Sequence, residues 1–327
     1  DQESERLFEL IDRLKQRGTA ILYVSHRLEE ILRISDRITV FRNGKNVRTV
    51  SAKEADKDQL IQWMSGISVL REQRERVSSD EIILEVERLS TADGKVREAS
   101  FSVRKGEITG LFGLAGAGRT ELLETIYGLR PAAFGRIALN GKAVSVRSPR
   151  QALDHGIVLI PEERKRDALV MSMAIRENMT LSVIDRFRRW LRIDARKERE
   201  TADSWMESMK VKASGIEQPV QELSGGNQQK VVFAKALLTQ PKVLLCDEPT
   251  QAVDVATRGE IHRLLRRQAD QGNAVLLVTS DLHEMLEVAD RLYILREGEI
   301  AAELMNDGVT PEQVLQICFH TGEGGNG

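Results

Sequence analysis

Two stretches of the sequence combine residue types that bind phosphate and a divalent cation. In Gly113-Leu-Ala-Gly116-Ala-Gly118-Arg119-Thr120, glycines follow the apolar run EITGLFG and precede the helical pattern TELLETIYG. At such a strand-to-helix turn, glycines let backbone N–H groups close around phosphate oxygens, and the helix N-terminus adds partial positive charge. The spacing fits G-x-x-x-x-G-K-[ST], with Arg119 where lysine is usual. Arginine keeps the charge but is bulkier, planar and fork-shaped, so phosphate binding is expected with a changed placement of the terminal phosphate. Thr120 would offer its hydroxyl to Mg2+. Farther along, KVLLCDEPT sets Asp247 and Glu248 at the end of an apolar strand. Carboxylates there are costly unless they bind a cation or do proton work. Asp247 suits the Mg2+ shell, and Glu248 suits orienting or deprotonating an attacking water. A strand-end pair that merely caps the next turn is the plainer reading of either residue alone, and the upstream glycine loop disfavours it.

A third string, LSGGNQQK, precedes the apolar helical pattern VVFAKALL. Ser224 stands where a helix N-cap belongs, and Gly225 and Gly226 present backbone N–H groups, with Asn227 beside them. A capped helix explains the serine but not two glycines, each costing about 1 kcal/mol in helical conformation. Cys246 reads as a small core residue.

The elements that must hold these residues are written in the same sequence. Short β-branched or Leu-rich runs (107–113, 156–160, 242–247, 274–280) alternate with longer helical patterns, which predicts an α/β fold with a largely parallel sheet. Length, 327 residues, gives about two domains at roughly 150 residues each, and 41% hydrophobic with 30% charged residues is enough for a packed core. A net charge of -2 gives no global field for a nucleic-acid partner, so none is expected. Two cysteines exclude a disulfide framework or a cysteine zinc cluster, and no apolar run approaches the roughly 20 residues of a membrane span. His155, His262 and His320 show no ligand spacing. The strip Arg186-Phe-Arg-Arg-Trp-Leu-Arg192 is basic with interleaved aromatics. A nucleic-acid or membrane-surface element is one reading, and a helix with a solvated arginine face is the expectation adopted.

The chain also repeats itself. Shifted by 254 residues, 7–44 aligns without a gap on 261–298: Gly18 falls on Gly272, Val24 on Val278, Glu30 on Glu284, Asp36-Arg37 on Asp290-Arg291. Residues 1–66 are thus expected to be the C-terminal part of a first module, 67–80 a linker, 81–320 a complete second module, and 321–327 a flexible Gly-rich tail. Position 1 follows the counterpart of Asp254 by one residue, so the earlier part of the first module is expected to lie outside this chain.

Glycine loop, LSGGNQQK and CDEPT in that order resemble a nucleotide-binding domain of the ATP-binding cassette (ABC) family. LSGGN followed by QQK, with ERKRDALV upstream and an Arg in the glycine loop, is similar to the second cassette of the tandem ATPases of bacterial monosaccharide importers of the ribose, galactose and arabinose type. The resemblance implies a P-loop NTPase core with a mostly parallel sheet, an antiparallel β edge and a helical insertion near 165–222. It implies ATP and Mg2+ as ligands, and a subunit that couples ATP hydrolysis to sugar import. The partners implied are membrane permease subunits, a second cassette (the absent first half or a second copy) and, indirectly, a periplasmic sugar-binding protein. The place implied is the cytoplasmic face of the inner membrane, as a peripheral protein. By position, Glu162 replaces the loop glutamine that senses the terminal phosphate, Asp254 matches the loop aspartate that communicates across the dimer, and His26 matches the switch histidine. The repeat puts Ser280 where the complete copy would have that histidine. No aromatic occupies 90–94, where the family stacks one on adenine. These departures at Arg119, Glu162, Ser280 and 90–94 point to slow or absent hydrolysis at the chain's own loop. A degenerate regulatory or remnant module is therefore a second reading. A soluble ABC protein acting on ribosomes or DNA is a third, disfavoured by the near-neutral charge.

Overall fold

The structure, a computed structural model, describes residues 2–25, 28–42, 45–56, 59–60, 63–64, 79–190 and 192–319. The chain divides into two compact units, residues 1–75 with 254–260 and residues 76–253 with 261–327.

In the first unit, helices α1 (Gln2–Gln16) and α2 (Leu28–Ile34) precede an antiparallel pair, β1 (Arg37–Arg42) and β2 (Lys45–Ser51). Phe8 and Ile11, three apart on one helical face, pack with Ile34, while Leu28, Ile38, Val40 and Leu60 form a second small core. Residues 20–24 are the repeat counterpart of a buried strand described below, yet they form no strand, and Leu22 and Val24 are 93% and 87% exposed.

The second unit opens with β3 (Ile82–Thr91), β4 (Ala99–Arg104), β5 (Ile108–Phe112), helix α3 (Arg119–Ile126), β6 (Ala132–Leu139), β7 (Lys142–Val144), α4 (Pro149–His155) and β8 (Ile157–Ile160). Next come α5 (Ile175–Thr180), β9 (Arg188–Arg189), β10 (Arg192–Ile193), α6 (Ala195–Ser208), α7 (Gly225–Leu238) and β11 (Val243–Asp247). Helix α8 (Val255–Asp270) spans the division, and β12 (Ala274–Val278), α9 (Leu282–Val288), β13 (Arg291–Arg296), β14 (Glu299–Met305) and α10 (Pro311–Phe319) follow. Strands β3, β4, β6 and β7 form an antiparallel sheet in the order β4-β3-β6-β7, and the other sheet runs β14-β13-β5-β12-β11-β8. All its pairings are parallel except β13 with β14, so the expected mostly parallel sheet with an antiparallel edge is present.

Every residue of β5, β11 and β12 is buried, which requires cover on both faces and explains why these strands read as unbroken apolar runs. Alternation along the strands divides the cover. Leu244, Cys246, Val275 and Leu277 pack with Phe233, Ile261 and Leu265 on one side. Val243, Leu245, Leu276 and Val278 pack with Leu122, Leu123, Val86 and Phe101 on the other.

Between 164 and 222 the chain adds a π-helical turn (Arg164–Ala168), α5, a 3-10 segment (Leu181–Phe187) and α6. The strip 186–192 is not the expected helix. Arg189 pairs with Arg192 and Arg188 with Ile193 in a two-stranded antiparallel ribbon, and Trp190 takes a left-handed φ of 58° at its turn. Phe187, buried at the root, and Asp194, which caps α6 by accepting a hydrogen bond from the Lys197 amide, hold the two ends of the ribbon.

A buried ion cluster pins β13 to the sheet. Arg291 donates to Glu107 at 3.0 and 3.2 Å and also bonds Glu303, with Glu107 only 2% exposed. Removing one partner of a buried pair strands the other charge. Arg291→Met should cost about 3–5 kcal/mol in urea unfolding, and Arg291→Met with Glu107→Leu should recover most of that loss. No recovery in the double variant would show that the cost lies elsewhere.

Candidate active site

Strand β5 delivers the glycine loop to the N-terminus of α3. A Cβ on Gly113 would lie 2.4 Å from the Leu295 carbonyl oxygen, and one on Gly118, whose φ is +100°, would lie 2.8 Å from the Lys95 carbonyl oxygen. Packing therefore demands glycine at both positions. Gly116, φ +80°, faces open space and needs glycine for its backbone conformation alone.

Arg119 and Thr120 begin α3 and both turn toward the end of β11. Arg119 Nη1 donates to the Thr279 carbonyl at 3.1 Å and lies 3.8 Å from Glu248 Oε1, with the two side chains only 15% and 10% exposed. The Thr120 hydroxyl lies beside the Asp247 carboxylate and favours its ionised form. Burial pushes the Asp247 carboxyl up to about 6, against the pull of Thr120, with Glu162 and Glu248 adding to the rise. Its Oδ1 is buried and has no hydrogen-bond partner. Glu248 sits in the left-handed region (φ 46°), its amide donating to the Val278 carbonyl at 2.9 Å. Burial also raises its carboxyl above the usual range, while hydrogen bonds with Ser280 and the Arg119 charge oppose this. The glycine loop, Arg119, Thr120, Asp247, Glu248, Glu162 and Ser280 thus share one locality. A Mg2+ ion fits the donor set: Thr120 and Asp247 would hold it, and the unpartnered Oδ1 is the atom it would satisfy.

The LSGGN segment meets other residues. Ser224 occupies the N-cap of α7 but makes no side-chain cap bond. Instead its Oγ accepts from Asn227 Nδ2 at 2.9 Å, and Asn227 Oδ1 accepts from the Lys212 amide at 2.8 Å. Gly226 is buried, and a Cβ on Gly225 would lie 2.8 Å from Arg164 Nη2. Gln229 donates to the Pro249 carbonyl at 2.8 Å, tying α7 to the loop just past Glu248. Glu162, half-buried, accepts from Gln251 at 3.2 Å. Asp254 accepts from the amide and hydroxyl of Thr257 and so caps α8. His26 lies outside the described residues, as does His320.

Sequence reasoning missed the network around Glu284. This buried carboxylate accepts from Thr250 at 2.5 Å, Thr279 at 2.7 Å and His262 at 2.7 Å. Thr250 lies two residues past Glu248 and Thr279 immediately before Ser280, so one side chain fixes both strand-end loops. The repeat match of Glu30 with Glu284 was the signal in the sequence.

The six-stranded mixed sheet, with a glycine loop and two carboxylates at its strand ends, has the fold of an ATP-binding cassette. A nucleotide-free ATP-binding cassette of an ABC transporter shares the fold at TM-score 0.61 and 24% identity, over 72% of this chain and 94% of that one. The ADP conformation of an ATP-binding cassette of an ABC transporter matches at TM-score 0.60 and 24% identity. Residues 96–251 match the family described as ABC transporter. The chain is 42% identical over 319 residues to a ribose import ATP-binding protein of Geobacillus kaustophilus, spanning 97% of this chain and 64% of that protein. It is 41% identical to a xylose import ATP-binding protein of Burkholderia cenocepacia, of which it spans 62%. The chain is thus related to these sugar-import ATP-binding proteins, and its residues 96–251 match the ABC transporter family.

The hydrogen bonds to Glu284 hold its carboxyl below the usual range against the opposing effect of burial. A depressed carboxylate contributes stability above its unfolded pKa and loses it as pH falls through the native value. Glu284→Gln should therefore destabilise the protein by about 2–3 kcal/mol at pH 7, and the difference from the parent should shrink in urea unfolding near pH 4. An equal difference at both pH values would contradict the assignment.

Proposed function

We propose that this chain is the ATP-hydrolysing subunit, or part of it, of a bacterial monosaccharide importer, working at the cytoplasmic membrane face with permease subunits and a sugar-binding protein. On this reading residues 1–66 are the end of a first cassette, 67–80 a linker and 81–320 a complete second cassette. The observation that carries it is the buried Asp247 Oδ1 beside Thr120, with Glu248 and Arg119 at the same strand end. The names of the relatives, which are import proteins for ribose and xylose, supply the sugar class.

In the mechanism, the glycine loop and the N-terminus of α3 bind the phosphates through N–H groups. Mg2+, when bound, neutralises charge developing on the transferring phosphoryl group. Arg119 must leave the Thr279 carbonyl to reach a phosphate, so binding there requires one hydrogen bond and one ion pair to be exchanged. Glu248 takes the proton of the attacking water, and Ser280 holds Glu248 in place. LSGGN would serve a phosphate loop on another cassette, as Asp254 would serve the contact between cassettes. Ser280 and Glu162, where the family pattern has histidine and glutamine, favour slow turnover at the chain's own loop. A degenerate regulatory module is the second reading, favoured by that same substitution pattern.

Glu248→Gln keeps shape and hydrogen bonding but cannot accept the proton. It should lower ATP turnover by about 10²–10⁴-fold while leaving ATP binding by calorimetry within a few-fold of the parent. Undiminished turnover in Glu248→Gln would remove Glu248 from the chemistry. ATP binding without turnover in the parent chain would favour the regulatory reading.

A further inference from the structure

The β9–β10 ribbon contains none of the residues placed in the candidate active site. Its base is fixed: Phe187 is buried, and Arg186 donates to the Leu238 carbonyl at 2.7 Å and the Thr239 carbonyl at 3.2 Å at the end of α7. Its turn closes on itself through Arg188 Nε, which donates to the Trp190 carbonyl at 3.1 Å. What projects is cationic and apolar together: Arg188, Arg189 and Arg192 are exposed, Trp190 is 87% exposed and Ile193 50%. From 186 to 193 there are four arginines and no acidic residue, on a chain whose net charge is -2. The flanking aspartates are already engaged, Asp185 with Arg150 at 3.7 Å and Asp194 as the cap of α6.

An exposed tryptophan at the turn of a rooted ribbon that also exposes an aliphatic side chain and three arginines matches the lipid headgroup boundary. There an indole has apolar chains on one side and water on the other, and anionic headgroups attract the cations. Single-stranded nucleic acid would also use stacking and charge, but it gains nothing from Ile193. We propose that this ribbon is a membrane-surface contact, with Trp190 and Ile193 entering the headgroup layer and Arg188, Arg189 and Arg192 on anionic lipid phosphates. The inference extends the peripheral-membrane reading above. Binding to bare vesicles needs neither nucleotide nor permease, so either reading can fail without the other.

The test is co-sedimentation of the chain with vesicles of phosphatidylcholine and with vesicles containing about one-third phosphatidylglycerol. Binding is expected to the anionic vesicles only. It should weaken by more than tenfold in Arg188→Gln/Arg189→Gln/Arg192→Gln, each cation near the surface being worth about fivefold. Trp190→Phe should abolish most of the blue shift in tryptophan emission that vesicles induce. All four side chains are exposed, so unchanged thermal unfolding will show that the variants are folded. No binding to anionic vesicles, or equal binding by the triple variant, would overturn the proposal. Equally tight binding to single-stranded RNA that displaces the vesicles would overturn it too, in favour of a general polyanion site.

Discussion

The desolvation of Asp247 is the constraint from which the site follows. Strand β11 is covered on both faces because parallel neighbours and two apolar layers leave it no solvent side. A carboxylate at its last position inherits that burial and cannot hold its charge cheaply unless cations surround it. The nearby groups divide accordingly. Thr120 and Arg119 from the start of α3 favour the ionised form, whereas Glu162 and Glu248 disfavour it. The site is thus electrostatically incomplete by itself, a condition that a divalent cation held by Asp247 and Thr120 would relieve.

The surrounding framework keeps that incompleteness localised. Glu284 gathers three donors from the loop after Glu248, the end of β12 and α8, so the two carboxylates cannot relax toward solvent by loop movement without breaking a satisfied buried network. Gln229 adds a link from α7 to the Pro249 carbonyl. The QQK that follows LSGGN is then as much a brace for the strand end as an extension of the signature. Gln228 donates to the carbonyls of Val220 and Leu223, and Lys230 to that of Lys210, so the three polar side chains fix backbone oxygens after α6, at the end of the insertion and just past Glu248.

Much of this was legible in the sequence because it rests on local rules. Buried parallel strands read as apolar runs, and the glycine loop reads from spacing, since Gly113 and Gly118 meet neighbouring backbone where no Cβ fits. What was not legible depends on tertiary contacts. Arg119 bonds the carbonyl of Thr279, and a backbone acceptor 160 residues away leaves no mark on residue type. Thr250, Thr279 and His262 look like ordinary polar residues until Glu284 brings them together. For the strip 186–192 the expectation is a helix with a solvated arginine face, and Trp190 gives none of the Asn-Gly signal that announces a tight turn. The repeat shows the reverse case: residues 20–24 have the strand sequence but pair with no strand among the described residues, and Leu22 and Val24 stay exposed where their counterparts are buried.

The central claim is that Asp247 is a carboxylate awaiting a cation shared with phosphate. Calorimetric titration of ATP into the parent chain and Asp247→Asn, with and without Mg2+, tests it most directly. The account predicts that Mg2+ tightens ATP binding at least tenfold in the parent and hardly at all in the variant, about 1.4 kcal/mol of coupling or more. The same Mg2+ dependence in both proteins would contradict it.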